Sequence, residues 1–115
     1  MPYVQGFVAA VPAENKDVYI QHAREAAEVF KEFGATRAVE TWGESVPEGK
    51  LIDFYRAVQA KPGEVIVFSW VEYPDKATAD AAEKKMMEDP RMKDMQMPFD
   101  AKRMIYGGFE TLFVL

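Results

Sequence analysis

The sequence predicts an α+β fold, a ferredoxin-like βαββαβ order with an extra meander strand, built on an antiparallel sheet. Two runs of strand-forming residues, 3–11 and 64–73, each stop at a proline. Two helical patterns, 16–33 and 76–89, follow these runs. The complete order reads β-α-β-β-β-α-β, and 115 residues suit a single domain over 1–115.

The first half of the chain supplies a strand, a long helix and a second strand. Pro12 ends strand 3–11, Asn15 is the predicted N-cap of the helix, and Gly34 is its predicted C′ residue. Residues 36–44 are predicted to form the second strand. The buried stripe of the helix consists of residues at helical spacing, namely Tyr19, Ala23, Ala26, Phe30 and Phe33.

The middle of the chain is predicted to form a hairpin. A turn over 45–50 leads into an extended run, 52–60. Pro62 and Gly63 fit the two central positions of a type II turn, after which 64–73 is the strongest strand pattern in the sequence.

The second helix, a loop and a last strand complete the order. Asp75 is the predicted N-cap of the helix, and Pro90 ends it. Residues 91–102 are predicted to form a loop, and 103–115 a final strand with an apolar tail.

Strands 3–11 and 64–73 carry apolar residues on both faces, although only two helices are predicted to cover the sheet. In a βαββαβ order, both helices lie on one side of the sheet, so the other side needs a different cover. The apolar tail 112–115 would also be unfavourable in water. These features predict a homodimer in which two sheets pack face to face as a dimeric α/β barrel.

Composition excludes several classes of function. The chain has no cysteine, which rules out disulfides, thiolate nucleophiles and cysteine-based zinc sites. With a net charge of −5 and no cluster of Lys and Arg, no nucleic-acid partner and no membrane partner is predicted. The N-terminus has no signal-peptide pattern, so the expected location is cytoplasmic.

Apart from Met1, every methionine lies between residues 86 and 104. Met86 falls on the inner row of the second helix, Met87 lies beside that row, and Met104 falls on the last strand, which leaves Met92, Met95 and Met97 in the predicted loop. These three alternate with polar residues, which favours apolar anchors for the loop over a copper site. Whether the loop is a lid over a cleft or a plug within it stays open.

Five residues are candidates for lining a cleft between helices and sheet: His22, Trp42, Arg56, Arg103 and Tyr106. His22, the one histidine, could be a general base, but a border histidine with one polar partner is the favoured interpretation. Arg56 lies between apolar neighbours on its predicted strand and could bind a carboxylate ligand, although a structural ion pair is favoured. Catalytic residues are unknown, and no cofactor or metal is predicted.

The segments FKEFGATR, VFSWVE, DPRM and MPFD-x-KRMIYGGF together resemble the YbaA-like family of uncharacterised bacterial proteins. This resemblance covers essentially the whole chain and implies a ferredoxin-like protomer in a dimeric α/β barrel. It implies no established reaction and no catalytic residues.

Three functions are therefore compared. The first is a small-molecule-binding homodimer with a ligand cleft between helices and sheet, and it leaves open whether the protein is an enzyme. The second is a non-catalytic structural or regulatory module that uses the methionine-rich loop as a contact surface. The third, a cofactor-independent monooxygenase-like or haem-handling enzyme, rests on fold analogy alone.

Overall fold

A computed structural model describes all residues of the chain, 1–115, as four helices and one four-stranded antiparallel sheet. The strands are β1 (Tyr3–Pro12), β2 (Arg37–Val39), β3 (Glu64–Tyr73) and β4 (Ile105–Glu110). The helices are α1 (Lys16–Glu32), α2 (Phe54–Ala57), α3 (Lys76–Glu88) and α4 (Pro90–Lys93). Two short 3₁₀ segments, Ala13–Asn15 and Ala101–Arg103, precede α1 and β4.

The sheet has the strand order β2-β3-β1-β4, with the two longest strands at its centre. β1 pairs with β3 along its whole length, from Tyr3 opposite Tyr73 to Pro12 opposite Glu64. β4 pairs with the first part of β1, and β2 pairs with the end of β3. The predicted strands 3–11 and 64–73 and the antiparallel sheet are confirmed.

The extra meander strand predicted over 52–60 is wrong. Residues 54–57 form α2, because Asp53 accepts a hydrogen bond from the backbone N–H of Arg56 at 2.8 Å and caps a helical turn. Gln59 then adopts a positive φ of 51°, which ends the turn. The predicted hairpin between 52–60 and 64–73 is therefore also absent, and β3 pairs with β1 and β2 instead.

The predicted strand 36–44 is shorter than expected, since only Arg37–Val39 form β2. Beyond Val39 the chain still runs along β3, but individual hydrogen bonds replace the regular backbone ladder between the two segments. The Thr41 hydroxyl donates to the carbonyl of Phe68, and the Gly43 N–H donates to the carbonyl of Ile66 at 2.7 Å. A side chain thus takes over part of the pairing, which strand propensity does not predict.

The predicted ends of the helices are mostly confirmed. Gly34 follows α1 with φ of 111°, a conformation that favours glycine. The Asp75 carboxylate accepts from the Thr78 N–H at 2.7 Å and caps α3. Asn15 occupies the N-cap position of α1, but its side chain forms no cap and instead donates to the carbonyl of Pro98 at 2.9 Å.

Both long helices cover the same face of the sheet. Tyr19 of α1 packs against Ala9, Val11 and Val67, and Ala79 and Ala82 of α3 pack against Val71 and Tyr73. The opposite face is covered at one end only, where Val58 packs against Ala10 and Ile66. The rest of that face is open, with Phe68 50% and Phe109 59% exposed. None of the four helices combines the length and the apolar composition of a membrane-spanning segment.

Candidate functional site

A cavity of about 480 Å³ lies between α1, the helix-covered face of the sheet and the segment that precedes β4. Its floor is formed by the first half of β1, and its sides come from α1, α3 and β4. Apolar and aromatic side chains supply most of the wall, and they include Phe7, Ala23, Ala26, Phe30 and Phe99. The mixture of a largely apolar wall and a few polar groups is typical of small-molecule sites.

The methionine segment, residues 92–99, forms one wall of this cavity. Met92, Met95, Met97 and Phe99 all line it. Two contacts hold the segment in place. The Asn15 amide donates to the Pro98 carbonyl at 2.9 Å, and Arg91 donates to the Glu32 carboxylate at 2.6 Å. The segment is thus fastened to the start and the end of α1, and the three methionines serve as apolar wall residues. The prediction of a loop over 91–102 is only partly right, because residues 91–93 belong to α4 and residues 101–102 to a 3₁₀ segment.

A carboxylate, a phenol and a hydroxyl meet at the sheet side of the cavity. Oε1 of Glu40 accepts hydrogen bonds from the Tyr19 hydroxyl at 2.6 Å and from the Ser69 hydroxyl at 2.5 Å. Tyr19 is on α1, Ser69 is buried on the helix-covered face of β3, and Glu40 directly follows β2. Burial, together with the adjacent Glu40 carboxylate, raises the pKa of the Tyr19 phenol, so Tyr19 is a hydrogen-bond donor at neutral pH.

His22 lies one turn after Tyr19 on α1 and also lines the cavity. Its ring packs edge-on against Phe99 at 6.4 Å between centroids, and its Nδ1 is buried without a hydrogen-bond partner. Loss of solvation lowers the pKa of His22, and the negative charges of Glu40 and Glu25 only partly oppose this shift. His22 is therefore mostly neutral at pH 7 and can offer one ring nitrogen to a ligand.

Comparison with known proteins classifies the chain. A family model described as "Protein of unknown function (DUF1428)" matches residues 2–101. The chain belongs to the DUF1428 family. Two similar proteins, both called "Uncharacterized protein YbaA", come from Escherichia coli (strain K12) and Shigella flexneri. Each is 60% identical over 114 residues, which cover 97% of either chain. The resemblance to the YbaA-like family is confirmed, and the names of these relatives assign no activity to them.

The five predicted cleft residues of this DUF1428 protein do not lie together. His22 and Tyr106 both line the cavity. Trp42 packs nearby, 6.3 Å from the Tyr19 ring between centroids, but outside the cavity wall. Arg56 lies on α2, away from the cavity, where its guanidinium donates to the carbonyls of Gly49 and Lys50.

Arg103 is in an ion pair outside the cavity wall. Its two terminal nitrogens each lie 2.8 Å from an oxygen of the Glu64 carboxylate, and its Nε donates to Asp100 at 3.1 Å. Hydrogen bonding to Arg103 lowers the pKa of Glu64 to about 2. This pair joins the start of β3 to the 3₁₀ segment before β4, so its contacts are structural.

Sequence reasoning did not group Tyr19, Glu40 and Ser69. Helical periodicity places Tyr19 on the apolar stripe of α1, and nothing in the sequence near Glu40 points to Tyr19 or Ser69 as its partners. The sequence contains one signal for this cluster. Tyr19 and Ser69 carry hydroxyl groups at positions that are otherwise apolar and buried, and buried hydroxyls need hydrogen-bond partners. No group of three or more His, Asp and Glu side chains is arranged to hold a metal ion.

Proposed function

We propose that this DUF1428 protein binds a small, largely apolar molecule in the cavity between α1, the sheet and the methionine segment. The supporting observation is the cavity itself, whose volume of about 480 Å³ lies within the usual range for ligand sites. The flexible thioethers of Met92, Met95 and Met97 can adapt to the shape of an apolar body. The Glu40 cluster and His22 supply polar contacts for one end of the ligand.

A thermal-shift screen over small metabolites with apolar bodies tests this proposal. A ligand at 100 times its Kd adds about 2.7 kcal/mol to the free energy of unfolding, which is readily measured. Ala23→Phe places a ring in the cavity wall, and Ala81→Phe adds the same ring at an exposed position on α3. Ligands that raise the melting temperature of the wild-type protein should no longer raise that of Ala23→Phe, and they should still raise that of Ala81→Phe. The proposal fails if no compound stabilises the wild-type protein or if both variants respond alike.

We also propose that the protomer is ferredoxin-like and pairs with a second copy through the open face of the sheet. The order β2-β3-β1-β4, with α1 and α3 on one face, agrees with the ferredoxin-like arrangement. The open face carries Phe68, Ile105 and Phe109, and the tail 112–115 is also exposed and apolar. A second copy of the same face is the simplest complement to such a surface.

Sedimentation velocity tests the homodimer. Phe68→Lys should convert a dimer to a monomer, while Val18→Lys on the exposed side of α1 should leave the dimer intact. A wild-type protein that sediments as a monomer at micromolar concentration would contradict the proposal.

The interaction-module alternative now rests on the same open sheet face and not on the methionine segment. Met92 and Met95 are partly buried in the cavity wall and Met97 is 43% exposed, so the segment offers less apolar area to an external partner than the open sheet face does. The oxygenase-like or haem-handling alternative continues to rest on fold analogy alone.

A further inference from the structure

The charged side chains that line the cavity are all acidic. Glu40, Asp80 and Glu83 line it, while none of the 14 Lys and Arg residues of the chain does. A concave site whose charges have one sign focuses its field and concentrates ligands of the opposite sign. The cavity is therefore electrostatically unfavourable for a carboxylate or phosphate ligand.

Glu40 is the one carboxylate of the cavity wall that the protein holds in a fixed orientation without a balancing cation, whereas Glu83 forms no hydrogen bond and no ion pair. Oε1 of Glu40 already accepts from Tyr19 and Ser69, which fix the orientation of the carboxyl group. Its Oε2 has no hydrogen-bond donor from the protein, and no Lys or Arg pairs with it. Asp80 differs, because Lys76 lies 2.7 Å from it and balances its charge.

The neighbouring side chains suit a positive charge. Aromatic rings attract cations through their faces, and the wall includes the rings of Phe7, Phe30 and Phe99. His22 adds no opposing charge, since its pKa is lowered by loss of solvation. The cavity thus combines a fixed carboxylate, aromatic faces and thioethers, without a competing cation.

We propose that the ligand of this cavity is an organic cation, an amine whose ammonium group binds Oε2 of Glu40 and whose apolar body packs on Phe99 and the methionine segment. This inference rests on the proposed function, because it names the chemical class of ligand for the same site.

Three probes with one apolar body and different head groups test the inference: 4-phenylbutylamine, 4-phenylbutanol and 4-phenylbutyrate. Their affinities are measured by calorimetry at pH 7 and low salt for the wild-type protein, Glu40→Gln and Glu44→Gln. Gln retains the oxygen that Tyr19 and Ser69 need. Glu44 is exposed and does not line the cavity, so Glu44→Gln controls for the change in net charge.

The amine should bind the wild-type protein about tenfold tighter than the alcohol, because a hydrogen bond to a charged group is stronger than a neutral one. The carboxylate should bind most weakly. Glu40→Gln should remove most of the advantage of the amine and leave the affinity for the alcohol unchanged, while Glu44→Gln should change neither. In the wild-type protein, added salt should weaken binding of the amine more than binding of the alcohol. This comparison tests the role of the ligand's charge without any variant.

The possible failures are distinguishable. Equal binding of amine and alcohol, or tightest binding of the carboxylate, overturns the cation inference and leaves the ligand site intact. If Glu40→Gln and Glu44→Gln lose the same amount of affinity for the amine, Glu40 is not the residue that binds the ammonium group. Absence of binding by all three probes at millimolar concentration contradicts the proposed function and, with it, the inference.

Discussion

The ion pair between Glu64 and Arg103 allows a pH-dependent prediction of stability. Only 9% of the Glu64 side chain and 13% of the Arg103 side chain are exposed, and the pair has bidentate geometry. Its removal by Glu64→Gln should lower the free energy of unfolding at pH 7. The full change in the pKa of Glu64, from 4.5 to about 2, corresponds to about 3 kcal/mol. Solvent screening near the surface reduces this to about 1–2 kcal/mol.

The sign of the pH dependence follows from the lowered pKa. A carboxylate with a lower pKa in the folded state stabilises the protein above its unfolded pKa, and this contribution is lost as the pH falls through the folded value. The gap between wild type and Glu64→Gln should therefore be constant above about pH 5.5 and shrink between pH 4.5 and 2. At pH 3, less than half of it should remain.

Urea denaturation followed by circular dichroism measures this gap at pH 7, 5, 4 and 3. Glu44→Gln, at an exposed carboxylate with no ion-pair partner, is the matched control and should differ little from wild type at any of these pH values. A gap near zero at pH 7, or one that stays constant down to pH 3, would refute the reasoning.

Three further predictions concern single contacts. Gly34→Ala should destabilise the protein by about 1 kcal/mol or more in thermal unfolding, because φ is 111° and the new Cβ would lie 2.6 Å from Thr78 Cγ2; an unchanged Tm would contradict this. Asp75→Ala should cost about 1 kcal/mol by removing the cap of α3, and Asp75→Asn should recover most of it. Asn15→Ala should speed amide hydrogen exchange in residues 92–97 and leave β3 unaffected, since it releases the Pro98 carbonyl; a uniform change along the chain would count against a local role.

The parts of the fold that the sequence predicts are those fixed by local chemistry. Pro12 and Pro74 delimit the two central strands, and Gly34 and Asp75 mark helix ends through backbone conformation and capping. The strand predicted over residues 52–60 is wrong because the cap at Asp53 starts a helical turn despite the strand-forming side chains of this run. The same run has Tyr55 and Val58 three residues apart, and both pack on the open face of the sheet at helical spacing.

The candidate site was less predictable because its contacts join distant parts of the chain. Glu40 meets Tyr19 across 21 positions and Ser69 across 29, and no local pattern indicates such a meeting. Arg103 likewise finds Glu64 across 39 positions, which removes it from the predicted cleft. His22 lies beside the apolar stripe of α1 that periodicity predicts, and Tyr106 lies near the start of the predicted last strand, so both positions follow from predicted elements. The cytoplasmic location stays a prediction.

The edge strand β4 links the two faces of the sheet on which the proposals depend. Tyr106 and Gly108 face the cavity, where a Cβ on Gly108 would lie 2.1 Å from the Tyr3 hydroxyl, so the backbone itself forms part of the wall. Ile105 and Phe109, on the same strand, point to the open face. A second copy packed on that face would press directly behind the cavity wall. Pairing of two protomers should therefore restrain β4 and tighten the ligand site, because one short edge strand supplies residues to both surfaces.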